Sequence, residues 1–228
     1  MAMFRIAFFV VIAAIPAGCQ TVVQDVSDGE VAQDVSDGEI EKLVEKLASP
    51  NQAPEINIPS VKYGPKYDRQ AQKKVYEAWE QLRTLAPRSF PFVFDHMTDD
   101  RYALTEDAGD FLQNYSVGFL SKDILLSHLQ PDVWDHKGYG TSFRRRPNQP
   151  DYVRHFRLLD PKSAREWWQT KKDLSLREIQ IEVLEWVLKE EERQPDSYSK
   201  RDRELVSKEL AALKASKEPR KPSYPFAR

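Results

Sequence analysis

The sequence predicts an all-α fold for the body of the chain, a small helical domain of packed antiparallel helix pairs. Three observations predict it: apolar residues recur at helical spacing, residues that cap helices precede these runs, and many of the 15 prolines end them. Only residues 101–105 and 152–159 carry a pattern compatible with strands. A domain built almost wholly of helices is therefore expected.

The first residues of the chain predict export. Arg5 precedes an uninterrupted apolar run, residues 6–15. This run is too short to cross about 30 Å of hydrocarbon at about 1.5 Å per helical residue, so it is typical of a signal peptide rather than of a transmembrane helix. Ala17 and Gly18 then supply the small side chains that a signal peptidase requires. We expect a signal peptide over residues 1–18.

Ala17, Gly18 and Cys19 resemble the lipobox of bacterial lipoprotein signal peptides, in which a cysteine after two small residues becomes the lipidated N-terminus. The resemblance implies a lipid on Cys19 and hence a membrane as partner, although Pro16 stands where an aliphatic residue is usual. Cys19 is the only cysteine, so the chain has no intramolecular disulfide or zinc–thiolate site. The alternative is an ordinary secretory signal and a soluble protein with one thiol. Gln20 is not the Asp that resembles an inner-membrane retention signal in enterobacteria, and this favours the outer membrane.

Residues 19–66 are expected to form a lipid-anchored leash that leads to the body. Residues 24–30 read QDVSDGE, and residues 33–39 repeat that sequence letter for letter. Such an acidic, polar unit buries little apolar surface and cannot offset the entropy of ordering it. The tandem repeat therefore predicts a flexible tether.

A short amphipathic helix is predicted at the end of the second copy. Ser36 and Glu39 form a capping box in front of apolar residues at helical spacing, and Pro50 follows them. The prolines within residues 51–65 then indicate an extended linker.

Six further helices are predicted in the body, residues 67–215, and most begin at a capping residue or at a proline. The predicted helices are residues 69–85 after Asp68, residues 90–97 after Ser89, residues 117–129 after Ser116, a helix from Pro161 after Asp160, residues 176–192 behind a Ser175–Glu178 capping box, and residues 200–215.

One helical pair has a recognisable order. A helix capped by Asp68, a short turn, a helix begun near Pro91 and the pair Asp100–Arg101 are similar to one HEAT-type unit. The resemblance covers residues 68–101 and implies stacked antiparallel helix pairs that bind other proteins.

Composition argues against nucleic acid as a partner. The formal net charge is −2 and the isoelectric point is near 6.1, with Lys and Arg spread among Asp and Glu along most of the chain. The tail, residues 216–228, is basic and rich in proline.

No catalytic motif is present, and the sequence predicts no catalytic residue, no metal site and no cofactor. Two groups place a histidine among carboxylates, but neither has the HExxH spacing of a zinc hydrolase, and Asp at helix ends is explained by capping. These groups are Asp95, His96, Asp99 and Asp100, and Asp132, Asp135 and His136. A small cell-envelope hydrolase that uses one of them is the alternative function.

A basic and aromatic segment, residues 136–157, is the most distinctive candidate surface. Arg binds carboxylate and phosphate through paired hydrogen bonds, and aromatic rings stack, so one interpretation is a site for an anionic partner. The other interpretation is a solvated loop, because runs of charged residues usually lie at the surface. The candidate residues are Tyr139, Phe143, Arg144, Arg145, Arg146 and Arg154. The sequence therefore favours a membrane-anchored interaction or scaffold module over an enzyme.

Overall fold

The structure is a computed structural model, and it describes residues 35–58, 60–108, 111–129, 160–193 and 200–222. Within these ranges the chain forms seven α-helices, one 3-10 turn and four strands. In chain order they are α1 (Asp37–Glu45), β1 (Glu55–Asn57), β2 (Ser60–Lys62), α2 (Arg69–Thr84), α3 (Phe90–Val93), the 3-10 turn (Phe94–His96), β3 (Tyr102–Ala108), β4 (Phe111–Ser116), α4 (Val117–Leu129), α5 (Pro161–Gln169), α6 (Leu176–Arg193) and α7 (Lys200–Ala215).

The expectation of an all-α body is wrong, because the fold is mixed α and β. Strands β1 and β2 pair antiparallel, with Ile56 opposite Val61, inside the segment that was expected to be an extended linker. Strands β3 and β4 form a longer antiparallel hairpin with an irregularity between Tyr102 and Leu104. The strand pattern at residues 101–105 is therefore a real strand that continues to Ala108, whereas residues 152–159 lie outside the described residues.

Polar side chains join the β3–β4 hairpin to its neighbours. Thr105 Oγ1 donates to Asn114 Oδ1 across the hairpin at 2.7 Å, and Asn114 Nδ2 donates to the carbonyl of Pro54 just before β1 at 2.9 Å. From α2, Gln72 Nε2 donates to the carbonyl of Thr105 at 3.2 Å. Since these groups are partly buried, each bond compensates for the loss of water at both partners.

The helix starts confirm the capping signals of the sequence. Glu39 accepts from the Ser36 backbone N–H at 2.8 Å before α1, and Glu178 accepts from the Ser175 N–H at 2.7 Å before α6. Asp160 accepts from the backbone of Ser163 at 2.9 Å at the start of α5. These hydrogen bonds occupy N–H groups that the first turn leaves unpaired, which is why the helices begin where they do.

The core lies where α1, α2, α3 and α4 meet. Helices α2 and α4 contribute Trp79, Leu82, Leu120 and Ile124, and none of these four side chains is exposed to solvent. The segment expected to form a second buried helix, residues 90–97, is instead one turn of α-helix followed by the 3-10 turn. Phe90, Val93, Phe94 and Met97 are buried as expected and Phe92 is partly buried, but the helix is too short to pair with α2 along its length.

Gly118 allows α4 to begin against the turn that precedes β3. Its N–H donates to the carbonyl of Asp99 at 2.8 Å, and a Cβ there would lie 2.8 Å from the carbonyl oxygen of Met97. Any larger residue would push the two backbones apart.

Helices α6 and α7 form an antiparallel pair. Arg177, near the start of α6, donates to the carbonyls of Leu213 and Lys214 at 3.1 and 3.0 Å, near the end of α7. These carbonyls belong to the last turn and have no partner within the helix, so Arg177 caps α7 from its neighbour.

Candidate functional site

Most residues that the sequence put forward as a site lie outside the described residues. This holds for the lipidation residue, for the basic and aromatic segment, and for the second histidine group. The residues concerned are Cys19, Asp132, Asp135, His136, Tyr139, Phe143, Arg144, Arg145, Arg146 and Arg154.

The histidine group around His96 is described, and arginines hold its carboxylates. His96 Nδ1 lies 3.6 Å from Asp99 Oδ2, but Arg101 also binds that carboxylate, with its NH2 group 2.6 Å from Oδ2. The hydrogen bonds from Arg101 lower the pKa of Asp99 to about 2, although burial opposes the shift. Asp95 pairs with Arg165 of α5. These pairs stabilise the turn before β3, and no three His, Cys, Asp or Glu residues converge as metal ligands in the described parts of the chain.

A buried set of polar side chains joins α2 to α4, and we call it the α2–α4 polar cluster (Trp79, Arg83, Asp123, Ser127 and His128). Trp79 Nε1 donates to Asp123 Oδ2 at 3.1 Å, and Arg83 Nε donates to Ser127 Oγ at 3.3 Å. His128 Nε2 donates to the backbone carbonyl of Arg83 at 2.9 Å. The cluster therefore links the two longest core helices at three points, two through paired side chains and one through the backbone.

Burial shifts the pKa values of two groups of the cluster, Asp123 and His128. Asp123 is 7% exposed, and burial raises its pKa to about 7 despite the nearby charge of Arg83 and the hydrogen bond from Trp79. His128 is 3% exposed, and burial lowers its pKa to about 4, although its hydrogen bond to the Arg83 carbonyl favours the charged ring. Near neutral pH, His128 is uncharged with its proton on Nε2, and Nδ1 has no hydrogen-bond partner among the described residues.

A carboxyl group with a pKa near 7 is chemically suited to act as a general base, but protein covers this one. All five side chains of the cluster are buried, so a substrate does not reach Asp123 in this conformation. The geometry is that of a structural polar network which fixes how α2 and α4 pack.

This cluster is not among the site residues that the sequence predicted. The helical spacing in α4 predicts an apolar stripe, and its five members are all buried: Val117, Leu120, Ile124, Leu125 and Leu129. The short polar residues between them are buried too. Apolar residues lie on most of the circumference of α4, which is typical of a helix buried on nearly all sides. This pattern is the signal that its polar residues are buried as well.

An open groove lies between α1 and α2, with a volume of about 490 Å³. We call it the α1–α2 groove. Its buried lining is apolar and most of its exposed lining is charged: the buried residues are Leu43, Ala71, Val75 and Ala78, and the exposed charged residues are Lys46, Asp68, Lys74 and Glu77. Apolar walls with a few polar groups at the rim are typical of binding sites of this size.

Comparisons with protein-family models, with curated proteins and with solved structures give no match to this chain. None of the described helices combines the length and the apolar character that a membrane crossing requires.

Proposed function

We propose that this chain is an exported bacterial lipoprotein, held on a membrane by lipid on Cys19, whose body binds another protein of the cell envelope. The observation that carries the proposal is the order of Arg5, the apolar residues 6–15, and the lipobox-like Ala17–Gly18–Cys19. Each part has a physical role: the charge orients the segment, the apolar run enters the membrane, and the small residues admit the peptidase.

Cys19 is suited to anchoring because no other cysteine competes for modification. One acyl chain binds a membrane only marginally, whereas two or more hold a protein firmly, so lipoprotein-type modification would give stable attachment. Gln20 favours the outer membrane as the destination.

Two surfaces support the interaction role. The α1–α2 groove offers an apolar floor with charged residues at its rim. The segment around Arg144, Arg145 and Arg146, with Arg154 and the aromatic residues Tyr139 and Phe143, has the chemistry to bind an acidic protein face.

We expect Cys19→Ser to release the protein from membranes when the full chain is expressed in a bacterium that processes lipoproteins. Serine offers no thiolate to acylate, so the protein should move from the membrane pellet to the soluble exported fraction. The measurement is membrane fractionation, together with mass spectrometry of the N-terminal peptide for an acylated Cys19.

Pro16→Leu serves as the matched control, because it supplies the aliphatic residue that the lipobox usually has. It should leave the acylated fraction equal to wild type or higher. An unmodified Cys19 in a wild-type protein that fractionates with soluble proteins would rule out the anchor.

We expect affinity capture from solubilised envelopes to recover a partner that depends on one of the two surfaces. The baits are the chain from Gln20 onward, its Arg144→Glu, Arg145→Glu, Arg146→Glu variant, and its Lys46→Glu, Lys74→Glu variant. Charge reversal replaces attraction by repulsion, so the bait altered at the true face should lose the partner at least tenfold. Quantitative mass spectrometry measures the loss.

A Lys172→Glu, Lys208→Glu bait matches the net-charge change of the Lys46→Glu, Lys74→Glu bait, and both lysines are exposed and lie outside the groove. Partner recovery should be unchanged with this bait. Equal recovery from all four baits, or no partner with any, would contradict an interaction role for these surfaces.

A further inference from the structure

Arg220, which follows α7, is held by both its backbone and its side chain against the body of the chain. Its backbone N–H donates to Gln180 Oε1 at 2.8 Å, and its carbonyl accepts from Gln180 Nε2 at 3.1 Å. Its guanidinium NH2 donates to the carbonyl of His128 at 2.7 Å, and NH1 lies 2.7 Å from Glu209 Oε1. Three separate elements, α4, α6 and α7, therefore supply the partners of one residue.

The orientation of the Gln180 side chain, which binds Arg220, is set by contacts that do not involve Arg220. Gln180 is 1% exposed, and Nε2 also donates to the carbonyl of His128 at 3.1 Å, which sets the orientation of the amide. A side-chain amide that binds both the N–H and the C=O of one residue reproduces the pairing of adjacent strands and recognises extended backbone of any sequence. Selectivity for arginine then comes from Glu209 and the His128 carbonyl, which receive the guanidinium.

The segment that carries Arg220 is otherwise held weakly. Within residues 216–222, every residue is exposed except Arg220 and Pro222, which are partly buried. Pro219 and Pro222 restrict the backbone toward extended conformations, which suits pairing with Gln180. A segment attached mainly through the backbone and side chain of one residue opens at lower free-energy cost than the helices beneath it.

We propose that Gln180, His128 and Glu209 form an arginine-recognition site for extended peptide, which the chain fills with its own residues 216–222. An arginine-bearing peptide from another chain binds the same site once Arg220 leaves it. Because the attached segment is present at high effective concentration, it keeps the site closed to weak competitors. This inference stands on the contacts of Arg220 and does not depend on the membrane anchor.

The test uses the full chain with Arg220→Ala and a fluorescent peptide of the sequence SKEPRKP, which corresponds to residues 216–222. Fluorescence anisotropy should show at least tenfold tighter binding to Arg220→Ala than to wild type, because the variant leaves the guanidinium position empty. The same peptide with alanine in place of arginine should lose at least tenfold in affinity. Adding Glu209→Gln to the Arg220→Ala chain should cause a comparable loss.

The proposal is overturned if Arg220→Ala binds the peptide no better than wild type does, or if the alanine peptide binds equally well. Should Arg220→Ala fail to fold, Glu209→Gln in the otherwise wild-type chain decides by amide hydrogen exchange. The Arg220 amide, which donates to Gln180, should then exchange at least tenfold faster, and unchanged exchange would overturn the proposal. Glu185→Gln is the matched control, since it alters an exposed ion pair with Lys214 on the same helix pair.

Discussion

Asp123→Asn is expected to make the stability of the protein increase with pH between pH 4 and 7, whereas the wild-type protein should show little change. Burial raises the pKa of Asp123 from 3.8 to about 7, so ionisation favours the unfolded chain. In the wild-type protein, the contribution of Asp123 to the free energy of unfolding therefore falls as pH rises through that interval. The total decrease is roughly 4 kcal/mol, because one pKa unit corresponds to about 1.4 kcal/mol. An asparagine in its place keeps an acceptor for Trp79 and removes this cost.

The pKa shift of His128 changes stability with pH in the opposite direction, so it offsets the effect of Asp123 in the wild-type protein. Its pKa falls from 6.5 to about 4 on folding, so its contribution to stability is fully present above pH 6.5 and is lost as pH falls toward 4. The size is about 3 kcal/mol, close to the contribution of Asp123 and opposite in sign. Between these pH values folding in effect moves one proton from His128 to Asp123, and the net number of bound protons hardly changes.

The charged groups around the two residues support this assignment. Arg83 and Glu80 face Asp123 from α2, and the attraction of Arg83 only partly offsets burial. Arg83 and Arg220 both act on His128 and disfavour its charged form, in the same direction as burial. Among the described residues, no nearby charge reverses either pKa shift.

Urea unfolding followed by far-ultraviolet circular dichroism at several pH values between 4 and 8 measures the effect. His128→Gln, which keeps an amide donor near the Arg83 carbonyl, should give the opposite slope, with stability falling as pH rises. The two variants control for each other, because any general effect of pH acts equally on both. Parallel curves for wild type and both variants would show that neither group is perturbed.

Arg83→Met is expected to lower the free energy of unfolding by about 3–5 kcal/mol, because it removes one member of a buried charge network. The guanidinium is 1% exposed, lies 3.1 Å from Glu80 Oε1 and 4.0 Å from Asp123 Oδ2, and stacks over the Trp79 ring at 4.6 Å. Methionine has a similar length and no charge, so it leaves both carboxylates without their cation. The pKa of Asp123 should then rise further.

Lys73→Met provides the matched control on the same helix. Lys73 and Glu77 form an ion pair at 3.5 Å, but their side chains are 68% and 51% exposed, so water replaces the lost interaction. We expect a cost below about 0.5 kcal/mol for this change. Urea midpoints that shift equally for the two variants would contradict the importance assigned to burial at Arg83.

The helices could be predicted because their signals are local. Ser36 and Glu39, or Ser175 and Glu178, lie one turn apart, and their hydrogen bonds form within a single helix start. The bounds of α4 and α7 agree with the prediction residue for residue, since Ser116 and the apolar spacing fix the first and the spacing alone indicates the second.

The hairpins depend on pairing between strands, and only the longer hairpin carries a local signal in the sequence. Gly109–Asp110 separates two runs of strand-forming residues, β3 and β4, and such a pair is typical of a two-residue hairpin connection. The sequence prediction ends this strand pattern at Thr105 and assigns no strand to residues 111–116. In β1 and β2 only three residues pair on each side, which is too few for a pattern to stand out.

The buried cluster is harder to predict because its partners are distant in sequence. Trp79 and Asp123 are 44 residues apart, and the local sequence around either residue does not predict the contact between them. A helical pattern can show that Asp123 interrupts an apolar surface, but only the packing of α2 against α4 shows that the carboxyl has a donor there. The same holds for Gln180 and Arg220, whose pairing depends on the path of the chain after α7.

The start of α1 has a consequence for how the distance between Cys19, the proposed anchor, and the body can vary. The capping box of Ser36 and Glu39 belongs to the second copy of a repeat in which Gln33 follows Gln24 by nine positions. Loss or gain of one whole copy by replication slippage leaves the residues that start α1 unchanged. It alters the maximum reach from Cys19 by about 30 Å, at about 3.3–3.6 Å per residue. Under the proposed lipid anchor on Cys19, the repeat lets mutation change how far the body can reach from the membrane without changing the residues that start α1.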